Sequence, residues 1–348
     1  MMYNDVPFDP ENPFPGELYN FPGDSPNVYE GIVIDYEGVD VTAENVIKVL
    51  TGDNSTGKKV LKSTELDNVF FYYSDHGGPD VLAMPCEAEP VCEYLYSDDL
   101  FDAILTMREK RMYNKMVFYV EACYSGSMFM NYPSDLNVVA VTAANEDESS
   151  YAEFCDGDNI VKGVYMDTCL SDEFSNAWMH HVDEAKCQAT ETLQEQYEYL
   201  VNTVMGSHVS QYGDLSFQND VIGEFIGYPT GRSRRSIRSQ QFKSTQKWDS
   251  RDNRLLFLQS KANHTTGIEH DKWAAEVSKE LEKRRMIDAY FHSLTSDPSM
   301  FQPATHAKNM NCYKRGIKRF EKAVGRSEYA VKYYNVLVNM CNANRNAF

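Results

Sequence analysis

Two short stretches of this sequence carry residue types suited to nucleophilic chemistry. Ser74-Asp75-His76-Gly77-Gly78-Pro79 ends an aromatic run, and Glu121-Ala122-Cys123-Tyr124-Ser125-Gly126-Ser127 ends an apolar one. A thiolate nucleophile needs a base to take its proton and N–H donors for the oxyanion that forms on attack. His76 offers the imidazole. Gly77 has no Cβ, so its backbone N–H can approach a substrate carbonyl and form an oxyanion hole with the N–H of Cys123. Taken singly, these residues read more simply as a buried structural cysteine and a hydrogen-bonded histidine. Taken together, at two neighbouring strand ends ringed by glycines, they read as a nucleophile and its base.

The elements that must hold them are legible from hydrophobic period. Asn68–Tyr73 is a short aromatic and β-branched run and predicts a buried strand. Met116–Val120 predicts a second. Val138–Ala144 predicts a third, which runs on into the polar cluster Asn145-Glu146-Asp147-Glu148-Ser149-Ser150. Thr42 reads as the N-cap of a helix through Leu50, with Gly52 as its stop. Ser97-Asp98-Asp99 reads as the cap of a helix with Leu100, Ile104 and Met107 at helical spacing. Strands alternating with helices give an α/β class, a mostly parallel sheet flanked by helices, with function beyond the carboxyl ends of its strands. Glu121 precedes Cys123 by two and so shares its face of the strand.

At 348 residues the chain can bury a sizeable core, and 42% hydrophobic content excludes a wholly disordered protein. No apolar run reaches the roughly eighteen residues of a membrane span. Met1–Pro7 has neither the basic nor the apolar region of a secretion signal. Residues 3–30, rich in Pro, Asn, Gly and Asp, predict a surface loop. The charge is divided. Residues 1–228 hold 10 Lys and Arg against 41 Asp and Glu, net −31; residues 229–348 hold 23 against 11, net +12. The halves should attract each other, and the acidic bulk argues against nucleic acid as a partner. Three parts follow: 1–228, an exposed linker over 229–254, and a basic all-α region over 255–348. Asn54-Ser55-Thr56 and Asn263-His264-Thr265 are candidate glycosylation sites, and eight cysteines lean towards an oxidising compartment.

Tyr72-Tyr73-Ser74-Asp75-His76-Gly77-Gly78-Pro79 and Tyr119-Val120-Glu121-Ala122-Cys123 closely resemble the two catalytic motifs of the legumain family, the asparaginyl endopeptidases or vacuolar processing enzymes. Four further stretches resemble that family in the same order. They are Thr142-Ala143-Ala144-Asn145, Glu148-Ser149-Ser150-Tyr151, Ser207–Gly213, and Ser250-Arg251-Asp252 with Leu255–Leu258. The resemblance implies a caspase-like fold followed by an all-α prodomain, and a cysteine endopeptidase zymogen that cuts after Asn, weakly after Asp. It makes Cys123 the nucleophile, His76 the base and Gly77 an oxyanion donor. It places Glu121 and Asp172 in the specificity pocket and Ser149 and Ser150 along the cleft. A side-chain amide both donates and accepts, so carboxylates suit its NH₂. Asp172 reads alternatively as a helix N-cap.

The same resemblance implies partners and pairings. Substrates are peptides and proteins with Asn before the scissile bond, and residues 255–348 bind the enzyme's own cleft; no cofactor or metal is called for. Cys155 pairs with Cys169 and Cys312 with Cys341, while Cys86 and Cys92 would close a short loop and leave Cys187 an odd thiol. A lysosomal or vacuolar location, or secretion, follows. In the family, the pocket's arginine, a following histidine and an asparagine orienting the catalytic histidine lie on a first strand. That strand precedes the segment matching Met1–Asp5, so it and the signal peptide are expected to lie ahead of this sequence. Tyr124 stands where the family has an acidic residue. The closest enzyme alternative is the catalytic subunit of the transamidase that attaches lipid anchors, and a second is a catalytically impaired relative acting as a binding protein. The opposed charges predict docking at neutral pH that weakens as carboxylates protonate, with cleavage after Asn253 or Asn263.

Overall fold

A computed structural model describes residues 1–20, 26–85, 93–166, 168–184, 189–228, 244–304 and 306–345. Helix α1 (Ala43–Thr51) starts where expected: the Thr42 hydroxyl accepts from the Asn45 amide, and Gly52 ends it at φ 70°. Strand β1 (Val69–Ser74) leads into β2 (Gly77–Gly78), β3 (Val81–Ala83) and β4 (Tyr94–Tyr96), which form a small antiparallel sheet. Helix α2 (Ser97–Glu109) buries Leu100, Ile104 and Met107 as its spacing predicts. Its cap differs from expectation. Ser97 is already helical, and its hydroxyl donates to Asp80 Oδ1 at 2.9 Å.

Strands β5 (Met116–Glu121) and β6 (Val138–Thr142) are buried at every residue. β1, β5 and β6 run parallel in that order, and Ser74 stands in register with Glu121. Side chains alternate along a strand. Met116, Phe118 and Val120 therefore pack with Leu50 of α1 and Ile104 of α2. Val117 and Tyr119 pack on the opposite side with α3 (Glu173–Glu184), α4 (Leu193–Thr203) and α5 (Gly223–Ile226). An antiparallel strand, β11 (Ser210–Gly213), closes the far edge beside β6. β1 is less buried than expected, with Tyr72 and Ser74 exposed, because among the described residues only β5 flanks it.

Above the carboxyl edge lie β7 (Tyr151–Glu153), the hairpin β8 (Ile160–Val161) and β9 (Val164–Tyr165), and β10 (Ser171–Asp172). β7 pairs with β10 on one side and with β12 (Lys247–Asp249) on the other. Residues 247–249 fall within the stretch expected as exposed linker. They form a strand instead, because Trp248 is buried against Ala152, Cys155, Leu256 and Phe257. Residues 229–243 of that stretch lie outside the described residues.

Helices α6 (Asn253–His264), α7 (Ile268–Leu294), α8 (Met310–Val324), α9 (Glu328–Val331) and α10 (Tyr334–Asn342) complete the chain. Phe291, Phe320, Tyr334 and Leu337 of this region share one core with Val81, Ala83, Tyr94 and Tyr96 of the small sheet. The fold is α/β, a mainly parallel sheet between helical layers with helices at the C-terminus. Disulfides join Cys155 to Cys169 and Cys312 to Cys341, as the resemblance implies. Cys86, Cys92 and Cys187 lie outside the described residues. No described helix is long and apolar enough to cross a membrane.

Candidate active site

Register brings the two chemical stretches together. With Ser74 opposite Glu121, the loops after β1 and β5 leave the sheet side by side at its carboxyl edge. A Cβ added at Gly77 would lie 2.5 Å from the Cys123 carbonyl oxygen and 2.9 Å from the Ala122 Cβ. Only glycine permits that approach. The His76 loop is pinned from three directions: its N–H donates to Asp75 Oδ1 (2.7 Å), its carbonyl accepts from the Ala83 amide (2.8 Å), and from the Tyr73 hydroxyl (3.1 Å). Past Cys123 the chain bends sharply. Tyr124 sits at φ 56° and opens a 3₁₀ turn over Ser125–Met128. A side chain in that region costs about 1–2 kcal/mol. The Tyr124 amide, donating to the Glu148 carbonyl at 2.7 Å, helps to fix it.

The thiol is buried, and Cys123 is the free cysteine among the described residues. The Ser150 amide donates to Cys123 Sγ at 3.4 Å, and the Ser150 hydroxyl lies 3.8 Å from it. Burial pushes the thiol pKa up to about 11, against the opposing pull of the Arg251 charge and the Ser150 amide. At His76 burial acts to lower the pKa. The hydrogen bond and charge of Glu328, with Asp75 and Asp172, reverse this and raise it to about 9. His76 Nε2 lies 3.1 Å from Glu328 Oε1. In this arrangement the imidazolium faces a carboxylate of α9, and the neutral thiol holds its own proton.

Glu121 and Asp172 lie close by. Glu121 is 2% exposed; its Oε2 accepts from the Ser175 amide (2.8 Å) and hydroxyl (3.0 Å), while its Oε1 is buried without a hydrogen-bond partner. Asp172 ends β10 just before α3. The Ser175 amide is the donor that a capping Asp172 would take, and Glu121 takes it instead. Burial raises both acids. Asp172 reaches about 6, with His76 drawing it down, and Glu121 is carried well above the carboxylate range by burial and the Asp172 charge. Ser149 and Ser150 are both buried, Ser150 against Cys123.

A strand of the chain itself crosses this cleft. β12 lies antiparallel to β7, and the next amide, of Ser250, donates to the Ser150 carbonyl at 3.1 Å. Arg251 Nη1 then donates to the Tyr124 hydroxyl at 2.9 Å while its Nη2 holds Asp249 at 3.0 Å. A cavity of about 480 Å³ remains between His76 and Gly77 on one wall and Arg251, Arg326, Glu328 and Tyr329 on the other. Of the predicted site residues, the structure sets Gly77 and Ser150 against Cys123 and brings Asp172 within range of the charges of both His76 and Glu121, while Ser149 is buried next in sequence to Ser150. Residue types and spacing did not single out Glu328 or Ser175, which carry no motif. Both sequon asparagines, Asn54 and Asn263, are exposed.

A cysteine and a histidine at adjoining strand ends of such a sheet define a cysteine-type endopeptidase of caspase-like fold. The profile of the Peptidase C13 family matches residues 1–230. The chain belongs to the Peptidase C13 family. It is 34% identical over 372 residues to a vacuolar-processing enzyme of Vicia sativa, a match covering 98% of this chain and 74% of that protein. It is also 34% identical to the legumain of Mus musculus (99% of this chain, 80% of that one) and to the hemoglobinase of Schistosoma japonicum (98% and 79%).

Proposed function

We propose that this chain is the zymogen of an endopeptidase that cuts after asparagine and weakly after aspartate. The observation that carries the reading is the free, buried Oε1 of Glu121 beside Asp172, one residue removed from the nucleophile. A carboxylate only accepts hydrogen bonds, so this atom suits the NH₂ of an asparagine side chain. Cys123 Sγ attacks the scissile carbonyl while His76 takes the thiol proton. The oxyanion is held by the N–H groups of Gly77 and Cys123. His76 then protonates the leaving amine, and a thioester remains. Water releases the acid; a second amine would instead form a new peptide bond, which is transpeptidase activity. Ser149 and Ser150 line the cleft.

Residues 255–348 act as the prodomain and the protein's own partner. Glu328 engages the His76 ring, and residues 247–249 lie along β7 as a β-strand with the turn at 250–251 following. Acid weakens the docking of a basic region on an acidic one. Cleavage after Asn263 is favoured over Asn253: Asn263 is exposed in the last turn of α6, whereas the Asn253 side-chain oxygen is buried. The names of relatives support a vacuolar or lysosomal setting, and exposed Asn54 suits glycosylation; a glycan on exposed Asn263 would occupy the side-chain nitrogen that recognition needs and so block cleavage there. The test is to incubate the full chain at about pH 4.5 and offer peptides differing only in Asn, Asp or Gln at the cleavage position. Cleavage after Asn, absent from the Cys123→Ala protein, is expected. Equal cleavage of the Asn and Gln peptides overturns the specificity.

A further inference from the structure

Glu121 is held by a chain of hydroxyls that the catalytic reading leaves unused. The Tyr72 hydroxyl, from β1, donates to Ser175 Oγ at 2.8 Å; the Ser175 hydroxyl, in the first turn of α3, donates to Glu121 Oε2 at 3.0 Å, and its amide to the same oxygen at 2.8 Å. Each hydroxyl has one proton, so the direction is fixed from the carboxylate end. An ionised carboxylate accepts only, hence Ser175 donates to it, and Tyr72 donates to Ser175. Ser175 is 4% exposed, and the Tyr72 ring, although 38% exposed, packs edge-on against Trp178 of the same helix at 5.2 Å. The other oxygen, Oε1, is buried and unpartnered. A buried acceptor left open beside a fully used one is costly unless something fills it.

We propose that Ser175, held in turn by Tyr72, is a positioning residue for substrate selection: it pins Glu121 Oε2 and thereby presents Oε1 to the side-chain amide of the substrate. This rests on the reading of Glu121 as a specificity acid. Because Oε2 already faces two donors, any proton that Glu121 binds goes to Oε1: the ionised acid accepts there from the substrate NH₂, and the neutral acid donates there to the substrate amide oxygen. Burial and Asp172 favour the neutral acid, and the two Ser175 bonds oppose them. Removing the Ser175 hydroxyl takes a donor from the charged form, and Glu121 then protonates at higher pH.

The experiment is a titration of the full-length chain carrying glutamate labelled with ¹³C at the carboxyl, with Glu121→Gln to assign the signal. In Ser175→Ala the Glu121 titration moves to higher pH, and Ser175→Thr, which keeps a hydroxyl, restores it. Tyr72→Phe moves it less, and not at all in the Ser175→Ala background. After acid treatment, Ser175→Ala raises KM for the Asn peptide about tenfold, the scale of one hydrogen bond to a charged group, with kcat and the alkylation of Cys123 by iodoacetamide unchanged. An unmoved Glu121 titration, or equal loss of kcat and of alkylation, overturns the relay. A wild-type enzyme that shows no preference for Asn overturns the reading of Glu121 instead, whatever the titration shows.

Discussion

At His76 two effects of opposite sign meet. Burial favours the neutral ring; Glu328, 3.1 Å away, favours the charged one and wins, holding the pKa at about 9. An imidazolium cannot accept the proton of a thiol that itself titrates at about 11. Glu328 therefore idles the base, while burial keeps the thiol protonated. Glu328→Gln removes the charge and keeps the size, and His76 should then titrate well below 9, towards the ordinary value of about 6.5. The Cε1 proton resonance of His76 reads this directly; an unmoved titration would assign the charge to Asp75 and Asp172. Sequence alone placed His76, Gly77 and Cys123 because glycines and strand ends frame them. It was silent on Glu328, whose neighbours Ser327 and Tyr329 give no motif. Its partner is 252 positions away, and only the docking of α9 brings it to the imidazole.

Among elements, those with a full period were readable and those made by a partner were not. α1 and α2 each bury a face that their own spacing announces, and β5 and β6 are continuous apolar runs buried on both faces. β12 is three residues, Lys247-Trp248-Asp249, in polar surroundings, and becomes a strand only by pairing with β7. Its one apolar residue carries it: Trp248 is 9% exposed, against Ala152 and Cys155. Truncating a buried aromatic costs about 3–5 kcal/mol, more than a three-residue edge strand recovers from its remaining bonds. Trp248→Ala should free residues 244–252 from the cleft while the central sheet stays folded. The uncut protein should then hydrolyse a small Asn peptide from the first time point, before any shortened chain is seen by electrophoresis. A lag as long as that of the wild type would show that Glu328, not β12, is the barrier.

The whole molecule is held together by contacts whose signs differ with pH. Lys314 Nζ meets Asp98 at 3.0 Å and Asp99 at 2.9 Å, His76 meets Glu328, and His306 Nδ1 lies 2.6 Å from Asp80 Oδ1, whose Oδ2 takes the Ala307 amide at 2.8 Å. Asp80 is 1% exposed and sits at φ 59°. The Asp80 hydrogen bond raises the His306 pKa despite burial, with the Asp80 and Asp98 charges adding. A raised histidine stabilises docking fully below its free value near 6.5 and loses that contribution as pH rises through the raised value. Glu328 is opposite: burial would raise it, but His76 holds it below its ordinary 4.5. Its contribution is present above that value and lost as pH falls through the lowered one. Mild acidification therefore tightens the histidine contacts, and release waits for the carboxylates. A Cys123→Ala protein cut in the linker should elute as one species at about pH 7 and about pH 5.5, and as two below about pH 4.5. Separation already at about pH 6 would show that the histidine contacts add nothing. His306→Gln keeps a donor for Asp80 but no charge, so docking should weaken about tenfold at about pH 5.5, and progressively less as rising pH takes the proton from the wild-type ring. Equal weakening at every pH would mean that His306 acts by shape and hydrogen bonding alone.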